Sequence, residues 1–165
     1  MTYKLKIISW NANGINSNNK IDLLNNYSIK GKIDIILLNE LRIKKNKKLK
    51  IRGYTTIRRD RNDNSGHGGV AILIKNSIDY KEINPITDCS IEHAIIQLPN
   101  KLTIMIYNTP QNNFTYDDIL TLTKIGKKVL LIGDFNATHQ YWSCNRNNAN
   151  GRTLLNVINS TECIL

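Results

Sequence analysis

Short apolar runs alternate with polar stretches along most of this chain, and their lengths suit strands better than helices. Residues 4–10 (Lys-Leu-Lys-Ile-Ile-Ser-Trp), 33–38 (Ile-Asp-Ile-Ile-Leu-Leu) and 128–132 (Lys-Val-Leu-Leu-Ile) are each short enough for one strand. The continuous run from Val129 to Ile132 predicts a strand buried on both faces. Further strands are predicted over 53–58, 69–75, 79–84, 91–97 and 102–107. The segment 69–75 follows the flexible Ser65-Gly66-His67-Gly68-Gly69 turn, and 91–107 reads as a hairpin turning at Pro99-Asn100-Lys101. Helical spacing appears near 18–30, with Ile21, Leu24 and Tyr27/Ser28 on one face, near 115–125, and near 150–160. The last carries Leu154, Leu155 and Ile158 as an apolar stripe behind Asn150 as N-cap. Strand–helix alternation followed by consecutive strands predicts an α/β chain with a mixed or largely antiparallel sheet.

Three of the strand patterns run out into acid or amide side chains. The first ends in Asn11-Ala12-Asn13-Gly14, the second in Asn39-Glu40, the third in Gly133-Asp134-Phe135-Asn136. Open α/β sheets build their sites at strand ends. Asp134 and Asn136 are two residues apart, so an extended chain would present both to one cleft. A carboxylate beside a neutral amide suits phosphoester chemistry, since one takes a proton or holds a metal and the other donates to a phosphate oxygen. The competing reading of each is plain: Gly-Asp-x-Asn as a polar turn, Asn11 as a turn residue before Gly14, Glu40 as a surface partner of Arg42 or Lys44.

These residues carry a resemblance. Trp10-Asn11-Ala12-Asn13-Gly14, Leu38-Asn39-Glu40 and Gly133-Asp134-Phe135-Asn136-Ala137 are similar, in order, to the motifs of the endonuclease/exonuclease/phosphatase superfamily. The finer matches resemble the apurinic-endonuclease-like domain of Jockey-like non-LTR retrotransposons. They are Gly53-Tyr54 with Arg58, Asp60 and Arg61; Gly68-Gly69-Val70-Ala71-Ile72; Tyr107 to Pro110; His139 with Trp142; and Asn150-Gly151-Arg152. The likeness runs from residue 4 onward. It implies a four-layered α/β sandwich, with two facing mixed sheets flanked by helices, and a Mg²⁺-dependent DNA endonuclease that nicks one strand, with Mn²⁺ as a substitute ion. It implies catalytic roles for Asn11, Glu40, Tyr107, Asp134 and Asn136, with Glu40, Asn11 and Asp134 toward the metal, and a reverse transcriptase module downstream in a parent polyprotein.

The chain departs from the family pattern in two places. The late Asp and the Ser-Asp-His segment that supplies the family's catalytic histidine are not among these residues, whose histidines are His67, His93 and His139. The domain is therefore expected to be incomplete at its C-terminus, which keeps open an inactive DNA-binding remnant, and a phosphoesterase acting on another substrate is a further alternative. Tyr107-Asn108-Thr109-Pro110 also replaces the family's first proline with Thr109.

Charge sharpens the partner. The 165 residues carry a formal charge of +10, and residues 42–61 hold ten Lys or Arg against one acid, Asp60, so the excess is one patch beginning directly after Glu40. A patch of this kind fits a polyanion, with Lys44, Lys45, Lys47, Lys48, Arg58, Arg61 and Arg152 as candidate DNA contacts. Arginine's planar fork suits phosphate. A solvated loop is the competing reading. The three scattered cysteines form no CxxC pair, which fits reduced thiols in a nuclear or cytoplasmic setting. No apolar run approaches bilayer length, and no signal-peptide pattern is visible at residues 1–10.

Overall fold

The computed structural model describes residues 4–15, 17–61, 67–99, 101–107 and 113–164, with the backbone alone over 102–107. In chain order the elements are β1 (Ile7–Asn11), α1 (Asn18–Gly31), β2 (Ile35–Asn39), β3 (Tyr54–Arg59), β4 (Val70–Lys75), β5 (Lys81–Ile83), β6 (Glu92–Leu98), β7 (Lys101–Tyr107), α2 (Tyr116–Thr123), β8 (Val129–Asp134) and α3 (Ala149–Ser160), with a 3₁₀ turn at Gln140–Trp142 between β8 and α3. Each of the eight expected strands and three expected helices is present. Ser65 and Gly66 of the expected glycine turn, Asn100 of the hairpin, and Asn108, Thr109 and Pro110 lie outside the described residues.

Two four-stranded mixed sheets form, ordered β1-β2-β4-β3 and β5-β6-β7-β8. Among the described strands only β1/β2 and β7/β8 pair parallel. The sheets face each other, β2 and β4 packing on β6, β7 and β8. One sheet-facing core holds Leu37, Leu38, Ile72, Leu73 and Ile74 together with Ala94, Ile96 and Leu98 of β6. The alternate β6 residue Ile95 joins Ile91 and turns to a second core under α2 and α3, with Ile119, Leu122 and Val157. The two-residue period of a strand thus serves two layers at once. Each fully buried Leu or Ile contributes about 1.5–3 kcal/mol.

Burial corrects three expectations. Among the strands whose side chains are described, only β2 is buried at every position. The strand β8 is an edge among the described strands, and Leu130 is 41% exposed, because one flank and part of one face lack cover. On α1 the inward residues are Leu24 and Ser28, while Tyr27 points outward. The N-cap of α3 is Asn148, whose side chain accepts from Gly151 N, and the most buried helix positions are Asn150, Gly151 and Val157, with Leu154 and Leu155 half-buried. Among the described residues no helix is long and apolar enough to cross a membrane.

Candidate active site at the strand ends

The parallel pair β1/β2 places Asn11 beside Asn39 in register, so residues 11 and 40 leave the sheet at the same end. Backbone bonding continues past the strands: Ala12 N donates to Asn39 O, Gly14 N to Glu40 O and Ile15 N to Leu41 O, at 2.8–2.9 Å. On the other flank Leu41 N and Arg42 N donate to Gly69 O and Gly68 O. Glu40 is therefore strapped between two loops. Gly69 takes φ +83°, a conformation that side chains rarely adopt. Packing of β8 against β1 and β2 brings the second sheet to the same edge.

Asn11 is where the three strand ends meet. Its Nδ2 lies 3.1 Å from Asp134 Oδ2 and 3.4 Å from Glu40 Oε1, one amide reaching both carboxylates. Its Oδ1 accepts from Asn13 N at 3.1 Å. The amide thus offers donors to the site, and binding a metal through Oδ1 would require turning the amide over and breaking the Asn13 bond. Glu40 is only 14% exposed in its side chain and pairs with Arg42 at 2.5 Å. The ligand reading and the Arg42-partner reading therefore apply to the same carboxylate.

Beyond Asp134 the chain does not stay extended. Asn136 takes φ 45°, and its N–H donates to Asp134 Oδ1 at 3.0 Å. The expectation that the two side chains share one strand face is corrected: an Asp-capped turn sets Asn136, and the Asp134 carboxylate helps to make it. Of the six described non-glycine residues with positive φ, four are Asn13, Glu40, Arg42 and Asn136. Such backbone costs about 1–3 kcal/mol per residue and gathers where a site demands it.

Two asparagines hold this turn. Asn148 donates to Asn136 O at 2.7 Å and accepts from Thr138 N, and buried Asn150 donates to Phe135 O and accepts from Phe114 N. A side chain at Gly151 would collide with the Thr138 carbonyl, so the Asn150-Gly151 pair secures the end of β8 against α3. Arg152 is exposed, its guanidinium 3.4 Å from Asn147 O. His139 caps the 3₁₀ turn by accepting from Tyr141 N and lies 5.3 Å from the Trp142 ring. The Tyr107 side chain lies outside the described residues. Its backbone stands in register between Glu92 and Asp134.

Sequence reading missed Lys20. Its ammonium, in the first turn of α1, donates to the carbonyls of Ala12 (2.6 Å), Asn13 (3.2 Å) and Gly14 (2.7 Å), clamping the loop that carries Asn11. The signal was available: a lysine in the first turn opposes the helix dipole, and this turn contains no acid to offset it.

The basic segment is a built surface. Ile43, Leu49 and Ile51 are buried while Lys44, Lys45, Lys47, Lys48 and Lys50 are exposed. Arg58 is not available for phosphate as expected: it donates to Ile43 O, Lys44 O, Lys47 O and the Asp60 carboxylate. Arg61 pairs with Glu92, which also accepts from Gly69 N. A groove lined by Lys45, Lys47, Lys48, Lys50 and Arg52 runs over β3.

The donor set fits a hard divalent cation that keeps most of its waters, for which one or two carboxylates suffice. Glu40 and Asp134 provide them across one amide, and among the described residues no three His, Cys, Asp or Glu side chains gather into a closed cage.

The model of the Endonuclease/Exonuclease/phosphatase family matches residues 8–161. The chain is 30% identical over 166 residues to the probable RNA-directed DNA polymerase from transposon X-element of Drosophila melanogaster, covering 96% of this chain and 18% of that protein. It is 31% identical over 168 residues to the corresponding probable polymerase from transposon BS of the same species, covering 95% and 18%. The chain therefore spans about a fifth of these relatives. Among solved structures it is similar to the endonuclease domain of TRAS1, a telomere-specific non-LTR retrotransposon, with TM-score 0.71, 17% identity, and coverage of 95% of this chain and 70% of that one.

Proposed function

Because the chain belongs to the endonuclease/exonuclease/phosphatase family, we propose that its strand-end cluster hydrolyses a phosphodiester of duplex DNA, nicking one strand and leaving a 3′-hydroxyl. The observation that carries this reading is the Asn11 amide reaching both Glu40 and Asp134 from two different sheets. In the proposed mechanism Asp134 takes the proton of the attacking water as the P–O3′ bond breaks, and passes that proton to the departing 3′-oxygen. Asn11 and Asn136 donate amide N–H groups to the phosphate oxygens, where charge builds in the transition state. Tyr107 adds a phenol donor to the same phosphate. Glu40, with Asp134, would hold Mg²⁺, which when bound would neutralise the phosphate charge. Lys44, Lys45, Lys47 and Lys48, together with Arg152, neutralise the DNA backbone.

The same proposal includes a wider context. The similar proteins are polymerases of mobile elements, so a reverse transcriptase module primed by the nicked end, an intracellular setting, and a family domain whose late Asp and Ser-Asp-His segment are not among these residues are all part of it. A second reading, DNA binding without turnover, is favoured by one observation: both ring nitrogens of His93 and Nδ1 of His139 are engaged in local bonds, so these nitrogens are not available to activate a water.

Relaxation of supercoiled plasmid separates the two. Slow nicking that needs Mg²⁺, stops with chelator, and is lost in Glu40→Gln and Asp134→Asn supports hydrolysis. Nicking unchanged by either substitution would overturn the assigned site. Tight DNA binding with no nicking would establish the second reading.

A further inference from the structure

The connection leaving β8 carries a feature the proposed chemistry does not use. Residues 137–148 are tied at many points: Asn148 N donates to Thr138 O at 2.9 Å, Gln140 N to Asn147 Oδ1 at 2.8 Å, and Trp142 N and Cys144 N both to His139 O at 3.2 Å. The Trp142 indole Nε1–H donates to Ala137 O at 3.2 Å, so the ring is anchored to the residue next to Asn136. On this frame Tyr141 stands 66% exposed, the most exposed large aromatic among the described residues. It meets Trp142 edge to face, with centroids 6.3 Å apart and planes at 82°, which leaves at least one face of the tyrosine ring uncovered by the indole.

A single exposed apolar residue is ordinary. Tyr141 differs in its support and its address. Its backbone N–H is held by His139, its ring is braced by an anchored indole, and the whole turn is bonded to the backbone of Asn136. The entropy of holding an aromatic at the surface has thus been met before any ligand arrives, which is how rigid aromatics gain affinity. Lysines recognise the phosphates of DNA, whereas an open π face recognises its bases.

We propose that Tyr141 is a stacking platform for a nucleobase beside the cleaved phosphodiester, with Trp142 and His139 as its positioning residues. This rests on the DNA reading above and deepens it: the cleft would prefer a step whose base can unstack onto the ring. Stacking of this kind is sequence-tolerant because every base has a π face, so the preference is for deformable or distorted steps over a particular letter.

The test is equilibrium binding of the 165-residue chain to a fluorescein-labelled short duplex containing one mismatch, in chelator so that catalysis plays no part, over a range of salt. Tyr141→Ala should weaken binding roughly 5- to 150-fold, the range for losing one stacked base, with an unchanged salt slope because stacking releases no counterions. Tyr141→Phe should bind as the parent does. Thermal melts of all three should agree, since the ring is exposed. The proposal is overturned if Tyr141→Ala binds like the parent, if Phe is as weak as Ala (a hydroxyl contact), or if the slope falls along with affinity (a phosphate contact). No DNA binding by the parent chain would instead remove the DNA reading itself, and this proposal with it.

Discussion

Arg58 points its guanidinium at the carbonyl of Lys47, at 2.6 Å, and thereby decides the shape of the basic segment. An arginine that looks like a DNA contact in the sequence is the internal tie of the loop that carries the contacts.

Arg58→Met should lower unfolding free energy by about 2–3 kcal/mol, the scale for losing charge-assisted hydrogen bonds, as read by urea denaturation. Arg58→Lys should rescue little of it, because one ammonium cannot reach the same four acceptors. A lysine variant as stable as the parent would show that charge alone matters there.

Exposure of Lys44, Lys45, Lys47 and Lys48 predicts non-specific duplex binding dominated by counterion release. With about five phosphates neutralised, log K should fall against log salt with a slope of roughly −4.5. Replacing the four lysines with glutamine should flatten it by roughly 0.9 for each true contact. If the slope stays the same, the segment faces away from DNA.

Lys20→Met should impair the site without touching substrate. Loss of its three carbonyl contacts frees the Ala12–Gly14 backbone that holds Asn11. The expected result is a lower kcat for nicking and a raised Mg²⁺ requirement, with DNA affinity in chelator unchanged and with partial recovery in Lys20→Arg. Equal losses of affinity and turnover would point to a general folding defect.

His93 gives a pH signature. It is buried, with Nε2 accepting from Ile86 N and Nδ1 against Ile91 O. Desolvation by burial, with Arg59 as a smaller cause, pushes its pKa below the ordinary histidine value. The folded state favours the neutral ring, so its contribution is complete above the unfolded value near 6.5 and is lost as pH falls below it. Unfolding midpoints in urea should therefore drop between pH 7.5 and 5, and His93→Gln should flatten that decline. An identical decline in the variant would assign the effect to other groups.

What could be read along the chain was local. Apolar runs bounded by turn residues located all eight strands and three helices, and Asn11, Glu40 and Asp134 were found because each follows such a run. Distances between those residues were not readable: Asn11 and Asp134 are 123 positions apart and meet only because two sheets pack face to face. Edge and centre look alike in composition, so the apolar run of β8 reads as buried although Leu130 is 41% exposed. Charge also misled locally. The sequence determines that residues 42–61 are basic, but carbonyls left unpaired by an irregular loop attract the nearest rigid donor, and only the folded chain shows that Arg58 is that donor while the side chains of Lys44, Lys45, Lys47 and Lys48 are exposed. Hydrophobic period and turn chemistry act between neighbours and are written in order. Which buried polar group satisfies which other is settled by packing, because an unpaired group away from water costs too much to leave alone.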